Sequence, residues 1–366
     1  MSRLAVSLLV QGEGRGHMTQ ALATARYLRD AGHEIERVLV GRSPFRSLPD
    51  YFVREIAAPV ETFDAPTQVP DREGRGLSLS ASAADAVRRL PRFLLAGRRI
   101  HHATRRADVV VNFFDLVGGI SRVLFRTLAP VVSVAHNYIF LHPALAHAPR
   151  RPHAHTLVMG YARATALRSA SRLALSFDPL PNATDARLVV TPPLLRHGLG
   201  ERTPRDDGYL LAYALNPGYG DMLADWHRRN SDATVHCYLD GGAAALADVP
   251  IRGFHAHALD QDGFLGHLEG CRAYLGTAGF ESVCEAFHLA KPALVVPTAG
   301  QYEQALNAWD AERVGAARSG GYEALDTFWR DPPAPSPERV EAFRSWVSRA
   351  PEIVVREVER AAAGAG

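Results

Sequence analysis

The N-terminal stretch Leu4-Ala5-Val6-Ser7-Leu8-Leu9-Val10-Gln11-Gly12-Glu13-Gly14-Arg15-Gly16-His17 decides the fold class of this chain. Residues 4–10 form a nearly continuous apolar run of strand length, which is typical of a strand buried on both faces. The glycines then predict a turn, residues 18–31 predict a helix that stops at Gly32, and residues 35–40 predict a second strand. This order favours a parallel sheet with helices on both of its faces.

The same alternation of apolar runs and helical stretches continues along the chain and starts again after a break. Pro192-Pro193 ends the first half, and residues 196–207 are polar enough to be a linker. Strands are predicted at residues 109–111, 131–135 and 188–190, and then at residues 209–213, 234–239, 273–275 and 293–296. Because 366 residues exceed what one hydrophobic core usually carries, we expect two α/β domains.

The composition argues against several classes of protein. A net charge of +2 is too small to indicate nucleic-acid binding, and 47% hydrophobic with 22% charged residues is normal for a soluble globular protein. No apolar run approaches the ~20 residues that span a bilayer, and residues 1–10 lack the cleavage site of a signal peptide. The three cysteines have no metal-binding spacing, so we expect reduced thiols in a cytoplasmic protein: Cys237, Cys271 and Cys284.

The glycine-rich turn before the first helix is a candidate site. It is not a P-loop, because no Gly-Lys-Ser/Thr follows, and His17 stands where the dinucleotide fingerprint has its last glycine. A tight turn with a surface histidine is one interpretation. The other is that Gly12, Gly14 and Gly16 let a ligand approach the backbone while His17, with an ordinary pKa of about 6.5, removes a proton from a hydroxyl.

Two further polar residues follow predicted strands of the first half. Asp115 could orient His17 and stabilise its imidazolium, or it could simply cap the helix that begins before Gly118. His136 follows the strand at residues 131–135, and ligands collect at the carboxyl ends of strands in open α/β sheets. It is therefore a candidate on the acceptor side, although a buried or turn histidine is the simpler interpretation.

The stretch Gly276-Thr277-Ala278-Gly279-Phe280-Glu281-Ser282-Val283-Cys284-Glu285-Ala286 predicts a small-residue turn that opens a helix, and a helix N-terminus suits a phosphate. Ser282 and Glu285 share a helix face, so one could donate to a phosphate while the other accepts from ribose hydroxyls. Glu303 and Gln304 could then accept and donate at a sugar. The alternative is an ordinary buried helix with an apolar stripe at Phe280, Val283, Cys284 and Phe287.

The segment from Gly276 to Gly315, with its Lys291-Pro292 and Val296-Pro297 pairs, resembles the donor-binding signature of two-domain nucleotide-sugar glycosyltransferases of the GT-B type. That superfamily includes the UDP-glycosyltransferases and the N-acetylglucosaminyltransferase of peptidoglycan synthesis. The glycine turn that ends in Gly16-His17 is also similar to theirs. One departure concerns the donor: Thr277 stands where many members have histidine, and Ala278 where glycine is usual.

The resemblance implies two doubly wound, Rossmann-like domains that face each other across a cleft. Residues 1–195 would bind the acceptor, residues 196–207 would be the linker, and residues 208–336 would bind the nucleotide-sugar. After the stiff segment Pro332-Pro333-Ala334-Pro335, residues 337–366 would form a helical tail that crosses back to the first domain.

Together with these residues, the resemblance predicts inverting, metal-independent transfer of a hexose from a nucleotide-sugar, with UDP favoured by Glu285, to an unidentified acceptor. No cofactor is expected, His17 would be the base, and Asp115 is a candidate for its partner. The donor would be bound by Gly218, Thr277, Ala278, Gly279, Ser282, Glu285, Glu303 and Gln304. The acceptor loop would comprise Gly12, Gly14, Gly16 and His136. Two alternatives remain: a nucleotide-sugar 2-epimerase of the same fold, and a protein that binds a nucleotide-sugar without turnover.

Three other stretches have weaker signals. Asn216-Pro217-Gly218-Tyr219-Gly220 could line the diphosphate or be a plain turn, and Asp260-Gln261-Asp262 is better explained by helix capping than by a metal site. Residues 88–106, with Pro91 as the start or kink of a helix, could be a solvated surface helix or a patch for an anionic membrane face or acceptor. Its basic residues are Arg88, Arg89, Arg92, Arg98, Arg99, His101, His102, Arg105 and Arg106.

Overall fold

The computed structural model describes residues 2–42, 48–69, 78–125, 129–184, 187–214, 217–246 and 252–364. The chain forms two compact units: the first contains Met1–Val69, Ser78–Arg196 and Ser345–Gly366, and the second contains His197–Arg344. Each unit has one parallel sheet whose strands alternate with helices. The predicted fold class, two doubly wound α/β domains, is therefore confirmed.

The first unit is built on a seven-stranded sheet in the order β3-β2-β1-β4-β5-β6-β7. Every neighbouring pair is parallel. Its central strands are apolar on both faces, and Val6, Leu8 and Val10 are completely buried, because helices cover the sheet. The strands are β1 Ala5–Gln11, β2 Glu34–Arg42, β3 Val60–Asp64, β4 Val109–Phe113, β5 Val131–Ala135, β6 Ser171–Leu175 and β7 Leu188–Thr191.

The helices that precede and connect these strands are α1 Arg15–Asp30, α2 Asp50–Ile56, α3 Leu79–Thr104, α4 Leu116–Leu124 and α5 Pro152–Thr165, with short 3₁₀ helices at His136–Leu141 and Pro143–Leu145. The predicted start of the first helix was wrong, and of the two roles open for Pro91 the structure shows a position inside a helix. Helix α1 begins at Arg15, so Gly16 and His17 belong to its first turn rather than to the loop. Helix α3 begins after the cap residue Ser78, whose hydroxyl accepts from the Ala81 N–H at 3.3 Å, and Pro91 lies inside it.

The second unit repeats the design with a six-stranded parallel sheet in the order β10-β9-β8-β11-β12-β13. Its strands are β8 Tyr209–Ala214, β9 Thr234–Leu239, β10 Phe254–His257, β11 Ala273–Gly276, β12 Ala293–Val295 and β13 Arg318–Ser319. Its helices are α6 Pro217–Arg229, α7 Gln261–Gly270, α8 Phe280–His288, α9 Tyr302–Val314, α10 Leu325–Arg330 and α11 Pro337–Val347. No helix in the described ranges is long and apolar enough to cross a membrane.

The strand orders locate a switch point in each sheet. In the first unit β4 lies on the side of β1 opposite to β2, so the connections after β1 and β4 run in opposite directions. The loops at the carboxyl ends of these strands are the Gly12–Gly14 turn and the Phe114-Asp115 pair. In the second unit β8 and β11 have the same relation, and β11 ends at the Gly276 turn. Ligands of open α/β sheets bind at such points.

The C-terminal residues contribute to both units. Near the start of this segment, the Phe343 ring of α11 lies 4.8 Å from the Phe287 ring of the second unit. The last helix, α12 Ala350–Ala363, packs in the first unit against α1 and strands β4 to β7. Ile353, Val354 and Val358 form its buried face. Residues 337–344 thus belong to the second unit, whereas the sequence predicted one tail on the first domain.

Candidate active site

The glycine turn after β1 brings its backbone very close to the next strand. A Cβ atom added to Gly12 would lie 2.0 Å from the carbonyl oxygen of Gly41 at the end of β2, so no larger residue fits there. Gly14 is the N-cap of α1, and a Cβ atom on it would lie 3.1 Å from Cδ2 of His17. The glycine loop therefore determines where helix α1 begins, and with it the positions of Gly16 and His17.

His17 lies in that first turn with its ring held from two sides. Its Nδ1 is 3.4 Å from Oε1 of Gln20, and its ring stacks on Phe114 with 5.6 Å between centroids. An amide oxygen can only accept, so Nδ1 carries the proton and Nε2 keeps its lone pair. The residue keeps some exposure to solvent, although its ring is packed against Phe114. Burial lowers the pKa of His17 to about 4, against a smaller opposing effect of the Gln20 hydrogen bond, so the ring is neutral at pH 7.

Phe114 reaches His17 through an unusual backbone conformation. Its φ angle is 58°, in the left-handed region that non-glycine residues seldom adopt. The Asn112 side chain stabilises this turn: its Oδ1 accepts from the Asp115 N–H at 3.0 Å, and its Nδ2 donates to the carbonyl oxygens of Asp115 and Thr165. The turn aims the Phe114 ring at His17 and the Asp115 side chain at α4.

Asp115 takes the capping role, one of the two that the sequence left open. Its Oδ1 accepts from the Gly118 N–H at 2.6 Å, which makes Asp115 the N-cap of α4. Asp115 is 1% exposed, and burial raises the pKa of its carboxyl group to about 7, against the effect of the backbone hydrogen bonds. Within the described residues, the hydrogen bond of the His17 ring is with Gln20 and not with Asp115.

His136 is a buried histidine of the core. It is 3% exposed, and its Nδ1 donates to the Leu175 carbonyl oxygen at 2.8 Å. The Phe140 and Phe177 rings meet it edge-on. The placement at the carboxyl end of β5 was predicted correctly. The side chain turns inward to β6, which favours the simpler interpretation of a buried histidine over a role at the acceptor.

In the second unit, the small-residue turn between β11 and α8 is held by α9. Nδ2 of Asn307 donates to the Ala278 carbonyl oxygen at 3.0 Å, and the Gly279 N–H donates to the Thr277 carbonyl oxygen at 2.7 Å. Gly279 is the N-cap of α8 and has no side chain to occupy the first-turn N–H groups. Ser282 lies in that turn and is partly exposed. This arrangement fits an anion.

Glu285 lies one turn deeper in α8 and is completely buried. Asp310 of α9 is also fully buried and pairs with Arg313 at 2.8 Å. Burial, together with the negative charges of Glu281, Glu285 and Asp310, raises the pKa of the Cys284 thiol between them. The predicted ribose contact therefore requires the Glu285 carboxylate to become accessible when a ligand binds. The sequence did not indicate its burial.

At the start of α9, Gln304 holds the preceding loop in place. Oε1 of Gln304 accepts from the Thr298 N–H at 2.8 Å and so closes the loop after β12. The NH₂ group of Gln304 can still donate a hydrogen bond, but its oxygen already accepts one from Thr298. At a sugar, Gln304 could therefore act as the predicted donor. Glu303 in the same turn is partly exposed.

The two weaker candidates of this unit are also located. Gly218 is partly exposed in the first turn of α6, whereas Asn216 lies outside the described residues. Asp260 is the N-cap of α7, with its Oδ2 accepting from the Gly263 N–H at 2.7 Å. The interpretation of the Asp260-Gln261-Asp262 motif as a cap is confirmed.

Sequence reasoning missed three residues that hold these sites together. Gln20 and Asn307 each lie three residues after a predicted site residue, His17 and Gln304 respectively, so helical spacing was an available signal. Phe114 gave no signal, because nothing in the sequence marks its left-handed backbone.

Two doubly wound parallel sheets, each with a glycine-containing loop at its switch point, place the chain in the class of two-domain α/β proteins. The sequence profile of glycosyl transferase family 1 matches residues 6–328. The chain belongs to that family and is a glycosyltransferase. A search of curated proteins found no match.

Solved structures with the same GT-B fold cover nearly the whole chain. The calicheamicin glycosyltransferase CalG4 has a TM-score of 0.61 and 19% identity, with 99% of this chain and 98% of that one covered. MurG of Acinetobacter baumannii gives 0.54 and 16%, with 98% and 100% covered. UGT89C1 of Arabidopsis thaliana, in complex with UDP, gives 0.61 and 15%, with 97% and 100% covered.

Proposed function

We propose that the protein is an inverting, metal-independent glycosyltransferase that moves a hexose from a UDP-sugar to an acceptor hydroxyl. The observation that carries the proposal is His17: a neutral imidazole at the switch point of the first sheet, fixed by Gln20 and Phe114 with Nε2 free to accept a proton. A nucleophilic hydroxyl that loses its proton to Nε2 attacks the anomeric carbon directly, which inverts its configuration.

The leaving diphosphate is held in the second unit. The first-turn N–H groups of α8 and the partly exposed Ser282 hydroxyl stabilise the negative charge that develops as the bond to the sugar breaks. Thr277 and Ala278 form the turn in front of them. Since the helix N-terminus supplies positive potential where many enzymes use a divalent cation, the reaction needs no metal or cofactor in this proposal.

The nucleoside and sugar complete the donor. Glu285, once accessible, accepts from ribose hydroxyls, while Glu303 and the Gln304 amide group contact the hexose; Gly218 borders the donor from α6. UDP as the nucleotide is supported by UGT89C1, whose structures hold UDP and UDP-L-rhamnose. Another structure of UGT89C1 holds quercetin. The acceptor of this chain is an alcohol whose identity the site leaves open.

The test is His17→Ala, with the exposed histidine His153→Ala as the matched control. We expect the rate of transfer to fall by about 10²–10⁴-fold, while calorimetry shows the same affinity for UDP. With the pKa of His17 at about 4, kcat/KM of the wild type should be level across roughly pH 5–8 and fall in more acidic solution. An active His17→Ala enzyme would overturn the proposed base.

The same assay separates the two alternatives. A 2-epimerase converts the nucleotide-sugar when no acceptor is present, so incubation with donor alone should give no product other than slow hydrolysis. Binding of UDP-sugars without turnover under any acceptor would instead identify a non-catalytic binding protein. His17 favours transfer over binding alone. Its Nε2 lone pair is held open so that the ring can act as a base, and a protein that only binds a nucleotide-sugar needs no base.

We also propose that the enzyme is cytoplasmic and docks on an anionic membrane face through helices α3 and α4. The outer side of α3 exposes apolar side chains next to the guanidinium groups of Arg88, Arg92, Arg98 and Arg99. Arg89 is the exception, since it points inward and pairs with Asp64 and Asp85, each at 3.2 Å. The exposed apolar residues are Val87, Leu90, Leu94 and Leu95 on α3, and Ile120, Val123 and Leu124 on α4. An apolar patch with basic neighbours matches the chemistry of an anionic lipid surface.

A further inference from the structure

Three histidines of the second unit converge away from the loops described above. His236 lies on β9, His257 ends β10, and His267 lies on α7, which packs over them. One nitrogen from each ring can be chosen so that all three lie within 4.8 Å of one another. Nδ1 of His236 is already 2.9 Å from Nε2 of His257.

The sheet itself brings these rings together. In the parallel register of β9 and β10, His236 lies beside His255 and Tyr238 beside His257. Since side chains alternate along a strand, these four point to the same face of the sheet. The His267 ring meets them from α7, with its centroid 4.1 Å from that of His236 and 4.9 Å from that of His257. All three rings are partly exposed, so an ion can reach them.

The surroundings of His267 favour one tautomer. Its Nδ1 lies 3.0 Å from the Gly263 carbonyl oxygen and 2.8 Å from the Tyr238 hydroxyl oxygen. A carbonyl can only accept, so Nδ1 carries the proton and Nε2 presents its lone pair. A histidine that binds a metal typically donates its second N–H to a carbonyl or carboxylate in this way. His267 is thus oriented as a metal ligand without any metal present.

We propose that His236, His257 and His267 form a binding site for a divalent transition metal, for which zinc is the best match. Imidazole nitrogens bind Zn²⁺ at about 2.0–2.1 Å in a tetrahedron, which places ligand atoms about 3.3 Å apart. The 2.9 Å pair opens slightly to this spacing, and its shared proton moves to the other nitrogen of the donating ring. The His267 ring closes in, and water takes the fourth position.

The site has a structural role, separate from the proposed transfer. The sheet order β10-β9-β8-β11 places two of its ligands on the outer strands, with β8 between them and the Gly276 turn. A bound ion joins β9, β10 and α7, which otherwise meet through neutral rings. Burial is the main cause that lowers the pKa of each of the three histidines, and neutral imidazole is the form that coordinates a metal.

The experiment uses the full-length, untagged protein after removal of metal. Calorimetry with ZnCl₂ should show one bound ion per chain, and zinc should raise the thermal midpoint. His236→Ala and His267→Gln should each weaken zinc binding at least about 100-fold. His153→Ala removes one exposed histidine outside the cluster and should bind zinc like the wild type.

Cobalt provides a readout that does not depend on any variant folding. CoCl₂ added to the wild type should give the intense visible absorption of tetrahedral Co²⁺, and zinc should abolish it. If the spectrum showed only hydrated Co²⁺, the proposal would be overturned. The three histidines would then be a hydrogen-bonded stack of neutral rings that binds no metal. Equal zinc affinity in His236→Ala and the wild type would overturn it as well, since the ion would then bind elsewhere.

Discussion

At the scale of single residues, the contact between His17 and Phe114 depends on a strained backbone. A left-handed non-glycine residue costs roughly 1–3 kcal/mol, and here the Asn112 side chain offsets that cost with three hydrogen bonds. The strain places a flat aromatic surface against one face of the imidazole. This leaves Nε2 as the open side of the ring, which is what a base requires.

A substitution at Gly14 tests whether activity depends on the exact position of the His17 ring. Its backbone angles of −91° and 122° suit alanine, so Gly14→Ala should fold normally. The new Cβ atom would lie 3.1 Å from His17 Cδ2 and 3.6 Å from its Nε2, which pushes the ring aside. We expect the rate to fall about tenfold, because small displacements of a catalytic group are costly, with UDP affinity unchanged.

The matched control is Gly160→Ala on α5, where an added Cβ atom meets nothing within 4 Å. It should keep the wild-type rate and gain slightly in stability, since alanine favours a helix over glycine. If Gly14→Ala also kept the full rate, the position of the His17 ring would not matter for turnover.

Glu285 allows a separate prediction about the donor. Glu285→Gln keeps the size of this fully buried side chain but removes its charge. Hydrogen bonds from ribose hydroxyls to a carboxylate contribute about 1.5–3 kcal/mol, so the affinity for UDP measured by calorimetry should fall at least tenfold. Equal affinities for UDP in the variant and the wild type would show that Glu285 only fills the core.

At the scale of elements, the N-terminus of α4 should make stability depend on pH. The folded protein holds the proton of Asp115 up to about pH 7, while the unfolded chain releases it near its ordinary pKa of about 4. The folded form therefore binds more protons between these values. Its stability relative to Asp115→Asn, which cannot titrate, should fall as the pH rises from about 4 to about 7.

Urea denaturation of both proteins at several pH values measures this difference. Asparagine keeps the cap of α4, so Asp115→Ala should be about 1 kcal/mol less stable than Asp115→Asn at every pH. A constant difference between the wild type and Asp115→Asn would mean that the carboxyl group titrates equally in the folded and unfolded chain.

The outer side of α3 makes a prediction about membranes. The protein should sediment with vesicles that contain phosphatidylglycerol, and not with neutral phosphatidylcholine vesicles, and salt should weaken the binding. Arg92→Glu should reduce it, because each basic group near an anionic surface contributes about 1 kcal/mol. Arg54→Glu, an exposed residue of α2 with the same change of charge, should bind like the wild type.

The elements could be predicted where burial left a clear pattern. Strands such as β1 and β5 are mostly apolar because both faces of a parallel sheet are covered. Four short strands were missed: β3, β6, β10 and β13. Of these, β13 has two residues and β10 contains two histidines. The candidate site could be located from the sequence because glycine-containing turns mark the loops after β1 and β11. The inward orientation of His136 and the burial of Glu285 could not be predicted, because both depend on tertiary packing.

At the scale of the whole molecule, catalysis and the histidine cluster should respond differently to chelators. We expect transfer to continue in excess EDTA, because the proposed diphosphate site uses N–H groups and a hydroxyl. A loss of activity that magnesium or manganese restores would contradict the metal-independent mechanism. A loss that only zinc restores, with a lower thermal midpoint, would instead report destabilisation of the second unit.

The position of α12 has a consequence for how the chain acquires its structure in the cell. A ribosome releases the strands of the first unit early, but the helix that covers β4 to β7 is translated only after all of His197–Arg344. Domains tend to fold as they emerge, yet this one must wait with part of its apolar sheet uncovered. The unit that begins the chain is thus the last to be completed.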